Sequence, residues 1–189
     1  PAGLWPPEGS ISPAALEMAS ETGFRWAATD EILLGRAFGK AVRRDPDGIP
    51  IEPDWLYRPY AAVTKSGSIP VFFRDHHLSD LIGFEYSRWD AHDAADNFIH
   101  NIKRIYDRLS SGKSGISENE YVIPVILDGE NAWEYFPDSG VTFLNVLLSK
   151  LEQLIPNIEF ITLSDALDEI KEIRELPSIP TGSRIDGTI

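Results

Sequence analysis

Four groups of acidic residues stand in loops or behind apolar runs of this sequence: Glu8, Asp30 with Glu31, Asp75 with Asp80, and Asp128 with Glu130. Tryptophan lies beside three of them, as Trp5, Trp26 and Trp133. A sugar ring has apolar C–H faces that stack on an indole and hydroxyls that bind carboxylates. Cleaving a glycosidic bond takes two carboxyl groups with different tasks. One stays ionised, and the other keeps a proton near neutral pH through burial or a neighbouring charge. Acids flanked by tryptophan therefore point to carbohydrate chemistry. Plainer roles stay open beside it. Glu8 in a Pro/Gly loop suits a solvated turn, Asp128-Gly129 is a common turn signal, and Arg74 suits a structural ion pair as well as a contact to substrate or to a site carboxylate. His76 and His77 are adjacent, so they would not share a face of a strand as a metal pair does.

These residues have to be positioned by the elements between them. Residues 122–127 are a continuous apolar run ending at Asp128-Gly129-Glu130. Such a run suits a strand buried on both faces, although Pro124 lacks the amide that a central strand needs. Acids directly after a buried strand sit at the carboxyl end of a sheet, where sites form in α/β folds. Residues 3–10 are a Pro/Gly loop presenting Trp5 and Glu8. Ser12-Pro13 predicts a helix start and Gly23 its stop. A short strand over 24–28 leads to Asp30 and Glu31, and a short helix spans 32–38. Residues 43–54, with three prolines, form an excursion or lid-like loop. Strands over 61–64 and 71–73 make a hairpin that runs on into Arg74 and Asp75. Ala91, Ala95, Phe98, Ile102, Ile105 and Leu109 make one apolar stripe of a helix over 91–109. A second helix spans 141–155 with Leu144, Leu147, Leu148, Leu151 and Leu154. A strand over 159–163 precedes a helix that Ser164 caps and that carries Leu167, Ile170 and Ile173. From Leu176 the chain reads as irregular coil. Strands alternating with helices predict an α/β fold with a mostly parallel sheet, its acid-bearing strand ends on one rim.

With 189 residues the chain can bury a sizeable core as one domain. A formal net charge of −13 disfavours nucleic acid and anionic membrane as partners. The chain has no cysteine, which excludes disulfides and thiolate metal sites. No apolar run reaches membrane-spanning length. The compartment expected is the cytoplasm, with secretion also compatible. Both ends read as cuts within a longer protein, which predicts an uncovered sheet edge and apolar surface where the rest of the domain belongs.

Four of these stretches carry a resemblance. Residues 3–10, Gly-Leu-Trp-Pro-Pro-Glu-Gly-Ser, resemble the Trp-x-Pro-Glu motif of glycoside hydrolase family 57. Residues 126–133, Ile-Leu-Asp-Gly-Glu-Asn-Ala-Trp, resemble that family's Asp-Gly-Glu motif. Residues 26–31 and 72–84 are similar to blocks of its amylopullulanase and α-amylase-like members. The resemblance implies part of an incomplete seven-stranded β/α barrel with mostly parallel strands, with residues 176–189 as an irregular end of one catalytic domain. It implies a retaining mechanism on α-glucans without a cofactor or metal. Glu8 maps to the nucleophile and Asp128 to the acid/base. Trp5, Asp30, Glu31, Arg74, Asp75, His77, Asp80, Glu130 and Trp133 map to substrate contacts. The family's early His-Gln-Pro motif, the motif after it and a later Trp-containing motif have no counterpart here, so the expected partners are an α-glucan or oligosaccharide and the remainder of the domain.

On this reading Glu8 accepts hydrogen bonds that keep it ionised, from Arg74, and Asp128 sits near Trp133 or close to the Glu8 charge. Two competing readings are a metal-dependent carbohydrate deacetylase using Asp75, His76 and His77, and a glucan-binding relative without turnover.

Overall fold

The computed structural model describes residues 2–111, 121–129, 133–154 and 158–185. Ser12 opens helix α1 (Pro13–Glu21): its hydroxyl accepts the Ala15 amide at 3.1 Å, and Pro13 takes a position that needs no amide partner. The helix ends at Thr22, and Gly23, at φ +86°, turns the chain. Glu17 of this helix accepts the amides of Lys65 and Ser66, which ties α1 to the hairpin turn.

The described strands are β1 (Gly3–Leu4), β2 (Trp26–Asp30), β3 (Tyr60–Thr64), β4 (Gly67–Arg74) and β5 (Arg174–Glu175). They form one five-stranded sheet in the order β1-β2-β4-β3-β5. The pairs β1–β2, β2–β4 and β3–β5 are parallel, and β3–β4 is the expected antiparallel hairpin. Short helices follow the two inner parallel strands directly. Asp30 caps α2 (Glu31–Ala37) by accepting the Ile32 amide, and Asp75 caps α3 (His76–Asp80) by accepting the Leu78 amide at 2.7 Å. These carboxylates thus satisfy amides that a helix start leaves without partners.

The long stripe is real. In α4 (Ala91–Ser111) Ala95, Phe98, Ile102 and Ile105 are buried, with Ala91 and Leu109 packed at the margin. The helix lies against α5 (Val141–Glu152), whose Phe143 and Leu147 join the same core. Burying each such side chain is worth about 1.5–3 kcal/mol. Leu148 differs from expectation and stays exposed.

Two expected strands are absent. Residues 122–127 are extended beside the end of β4 but form no ladder. The Val122 amide donates to Tyr57 O, and Pro124 O accepts the Asp75 amide at 2.9 Å. Pro124 has no amide to return, and side chains serve Ile126: Ser79 Oγ accepts its N–H, and Arg74 Nε donates to its carbonyl. Residues 159–162 are irregular, and α6 (Leu163–Glu169) begins where the strand was to end, capped by Thr162 rather than Ser164. Ala166 is its buried residue, and Ile170 and Ile173 lie beyond its end. The two-residue strands β1 and β5 had no visible signal.

The excursion over 43–54 is docked, not free. Arg44 and Pro50 bridge across it, Ile49 is fully buried, and Asp45 pairs with Arg104 and Arg108 of α4. Gly48 lies so close to the His77 ring that a Cβ there would fall 2.2 Å from Nε2. Arg44 reaches inward to pair with Glu31 and, at 3.3 Å, with Asp75. Tyr57 donates its hydroxyl to the same Asp75 oxygen. Burial, helped by the Asp75 charge, pushes Glu31 up to about 7 against the pull of Arg44. Arg44→Met would leave two buried carboxylates without their cation. We expect a loss of about 3–5 kcal/mol in urea unfolding, larger than that of Arg43→Met, whose pair with Glu52 is exposed.

Candidate active site

Glu8 sits in a tight turn, Pro7–Gly9, that two prolines enter. The Gly9 amide donates to Pro6 O and the Ser10 amide to Pro7 O, both at 2.9 Å. The turn puts Glu8 at φ 54° and ψ 23°, a left-handed conformation that a side-chain-bearing residue seldom takes. Gly9 follows at φ +61°, with its carbonyl accepting the buried Thr29 hydroxyl at 2.6 Å. The Trp5 ring covers Gly9 closely: a Cβ there would lie 2.9 Å from Cη2. Backbone strain of this kind is held only where the surroundings fix it. Here it is fixed by the Trp5 ring, by Thr29 of β2, and by the Arg184 amide, which donates to Glu8 O at 2.9 Å.

Asp128 arrives on the extended segment that Arg74 and Ser79 hold at Ile126. Trp5 Nε1 donates to Asp128 Oδ1 at 3.3 Å. Arg184 joins the two acids: its Nε donates to Glu8 Oε2 at 2.6 Å and its Nη2 to Asp128 Oδ2 at 2.7 Å. A planar guanidinium bridging both carboxylates keeps those two oxygens no more than about 8 Å apart. Paired-carboxylate glycosidases work at about 5–9.5 Å. The side chains of Arg184 and Asp128 are 17% and 21% exposed and that of Glu8 44%, so the arrangement opens to solvent on the Glu8 side. Burial alone would lower the Arg184 pKa, but the bond to Glu8 and the charges of Asp128, Glu8 and Asp80 hold it above its ordinary range.

Arg184 was not legible as a site residue. It lies in a Gly/Ser coil, and nothing in its neighbours reveals a partner 176 residues away. The hydrogen bond expected from Arg74 to Glu8 is absent. Arg74, 2% exposed, is instead committed to Asp30 at 3.2 Å, Asp80 at 2.5 Å and Ile126 O at 2.9 Å. Of the two surroundings expected for Asp128, the one near the Glu8 charge is present through Arg184, and Trp133 packs elsewhere in the described contacts. Its ring packs on Phe136 and Phe143 and against Gly140, and Trp5 is the indole that meets Asp128. Trp26 donates to Ser164 and packs edge-on against Phe72.

Of the other acids, Asp30, Glu31 and Asp75 are buried and spoken for by helix caps and by Arg74 and Arg44. Asp80 keeps some exposure and faces Arg74 and His76. Glu130 lies outside the described residues. Asp75, His76 and His77 do not converge: His76 bonds Asp30 and Asp80, whereas half-buried His77 rests on Gly48 and is held below its usual range by burial.

Residues 1–180 match the model of glycosyl hydrolase family 57. The chain belongs to this family. The 4-α-glucanotransferase from Thermococcus litoralis aligns with 96% of this chain at TM-score 0.60 and 16% identity. A GH57-type branching enzyme from the hyperthermophilic archaeon Pyrococcus horikoshii aligns with 90% of it at TM-score 0.65 and 17% identity. This family 57 chain spans 24% and 35% of those two chains, so it corresponds in fold to about a quarter to a third of each. No curated protein matches it. Among the described residues no helix is long and apolar enough to cross a membrane.

In this family 57 chain both nitrogens of His76 lie against carboxylates: Nδ1 is 3.0 Å from Asp30 and Nε2 2.9 Å from Asp80. Both must donate, so the ring is an imidazolium. Its bonds to Asp30 and Asp80 push it up to about 10. A raised histidine contributes stability that is full below its unfolded value near 6.5 and is lost as pH rises through the folded value. The thermal midpoint should therefore fall between pH 6.5 and 10, and His76→Gln should flatten that decline.

Proposed function

We propose that this chain carries the catalytic carboxylates of a retaining enzyme acting on α-glucans, a hydrolase or glucanotransferase of the amylase and pullulanase kind, within an incomplete seven-stranded β/α barrel. The observation that carries the reading is the single guanidinium that holds Glu8 and Asp128 together at the solvent-open end of the sheet. Family membership supports it, as do structural neighbours whose names denote a 4-α-glucanotransferase and a branching enzyme.

Glu8 attacks the anomeric carbon and forms a glycosyl-enzyme. Asp128 gives its proton to the departing oxygen and then activates the incoming water or sugar hydroxyl. The strained turn directs the Glu8 carboxylate outward, and its greater exposure suits the group that must reach the sugar. Trp5 serves two ends here, as the wall that fixes Gly9 and as the donor that orients Asp128. Asp80, whose charge also acts on Arg184 and which keeps some exposure, is the further acid for sugar hydroxyls. The acceptors of the second step, water for hydrolysis or a glucan hydroxyl for transfer, both use the same two carboxylates.

The variants separate the two roles. Glu8→Gln should lower turnover of α-glucan by at least about 1,000-fold on every substrate. Asp128→Asn should slow glycosides with poor leaving groups strongly and aryl glycosides with acidic leaving groups little, because only the former need the proton. Equal losses on both substrate types in Asp128→Asn would count against its role as the acid. In the same assays Gly9→Ala should cost activity by disturbing the turn, since its φ and the Trp5 ring leave no room for a methyl group.

A further inference from the structure

Arg184 enters no family motif noted above, yet its guanidinium bonds both carboxylates of the pair. Its backbone amide donates to Glu8 O, and its guanidinium takes Glu8 by Nε and Asp128 by Nη2. The segment that carries it is stapled next to the Glu8 turn. Ile11 and Gly182 exchange two backbone hydrogen bonds, at 2.8 and 3.0 Å, and Ser183 is buried. The arginine is thus delivered by a fixed strap, not by a drifting tail. Among the described residues the strap's further polar bond is local, from the Ile185 amide to Ser183 Oγ.

The chemistry proposed above, on which this inference rests, moves one negative charge between the two acids. In the first step a Glu8 oxygen bonds to the anomeric carbon. The bond from that carbon to the glycosidic oxygen breaks, its electron pair stays on the oxygen, and the Asp128 proton goes to it. Glu8 turns from anion to neutral ester while Asp128 turns from acid to anion. In the second step a water or sugar hydroxyl attacks the same carbon and yields its proton to Asp128, and the ester bond breaks with its electron pair returning to Glu8. We propose that Arg184 is the positioning residue of the pair: its guanidinium lies between the two carboxylates and stays beside one negative charge as that charge passes from Glu8 to Asp128 and back. A donor fixed in place needs no rearrangement while charge develops, which is how preorganised groups lower barriers. Lysine cannot take over this task, because its single ammonium lacks the planar fork that reaches both acids at once.

The test uses the full-length protein and a soluble α-glucan. Arg184→Ala should lower kcat by roughly 100-fold, the loss typical of one preorganised donor, with KM changed much less. Millimolar guanidinium should restore part of the rate. Wild-type kcat would overturn the proposal. If the alanine variant fails to fold, Arg184→Lys decides it: lowered kcat with the thermal midpoint retained supports the role, and wild-type kcat overturns it. Loss of activity in Glu8→Gln and Asp128→Asn, with none in Arg184→Ala, removes this inference and leaves the mechanism standing. Full activity in the first two variants removes the mechanism itself.

Discussion

A single guanidinium between two carboxylates is the constraint around which this end of the molecule is arranged. Charges brought partly out of water are tolerated when each finds a partner and its remaining donors are satisfied. Arg184 meets that condition for Glu8 and Asp128 together. The three residues come from three distant parts of the chain: a turn before α1, an extended segment after α4 and a strap beyond β5. Each part has its own anchor. Thr29 and Trp5 hold the turn, Arg74 and Ser79 hold the segment, and the Ile11–Gly182 bridge holds the strap.

A second ionic layer accompanies this pair, buried at Asp30, Asp75 and Arg74 and partly exposed at His76 and Asp80. Asp30 and Asp75 end or follow the two inner parallel strands and cap the helices that come after. They then take Arg74, His76, Arg44 and Tyr57 as partners. Arg74 links the layers: it neutralises Asp30 and Asp80 and also holds the carbonyl of Ile126, two residues before Asp128. A change at the buried layer would therefore be felt at Asp128 as a shift of backbone, without any direct contact between the two.

Much of the architecture was legible in the residues, and the exceptions have physical causes. Ser12-Pro13 and Gly23 mark α1 because caps depend on local chemistry alone. The α4 stripe and the β3–β4 hairpin were likewise visible in spacing. Residues 122–127 depart from their apolar character in both respects: apart from buried Pro124 they are only partly buried, and they form no ladder, since pairing depends on neighbours and is blocked at Pro124. Acids after strands signalled a site, yet Asp30 and Asp75 are helix caps, a role served by the same residue in the same position. Trp5 and Trp133 are equal as letters, and only the fold sends one to Asp128 and the other to Phe136 and Phe143. Arg184 was invisible because a long-range ion pair leaves no local pattern.

On the proposed mechanism Glu8 forms a covalent bond to sugar while Asp128 does not. Incubating the full-length protein with a mechanism-based fluorinated α-glucosyl fluoride and mapping the labelled peptide by mass spectrometry addresses it directly. One glycosyl group, carried by Glu8, is expected, with no label in Glu8→Gln. A label on Asp128, or on any other carboxylate, would contradict it.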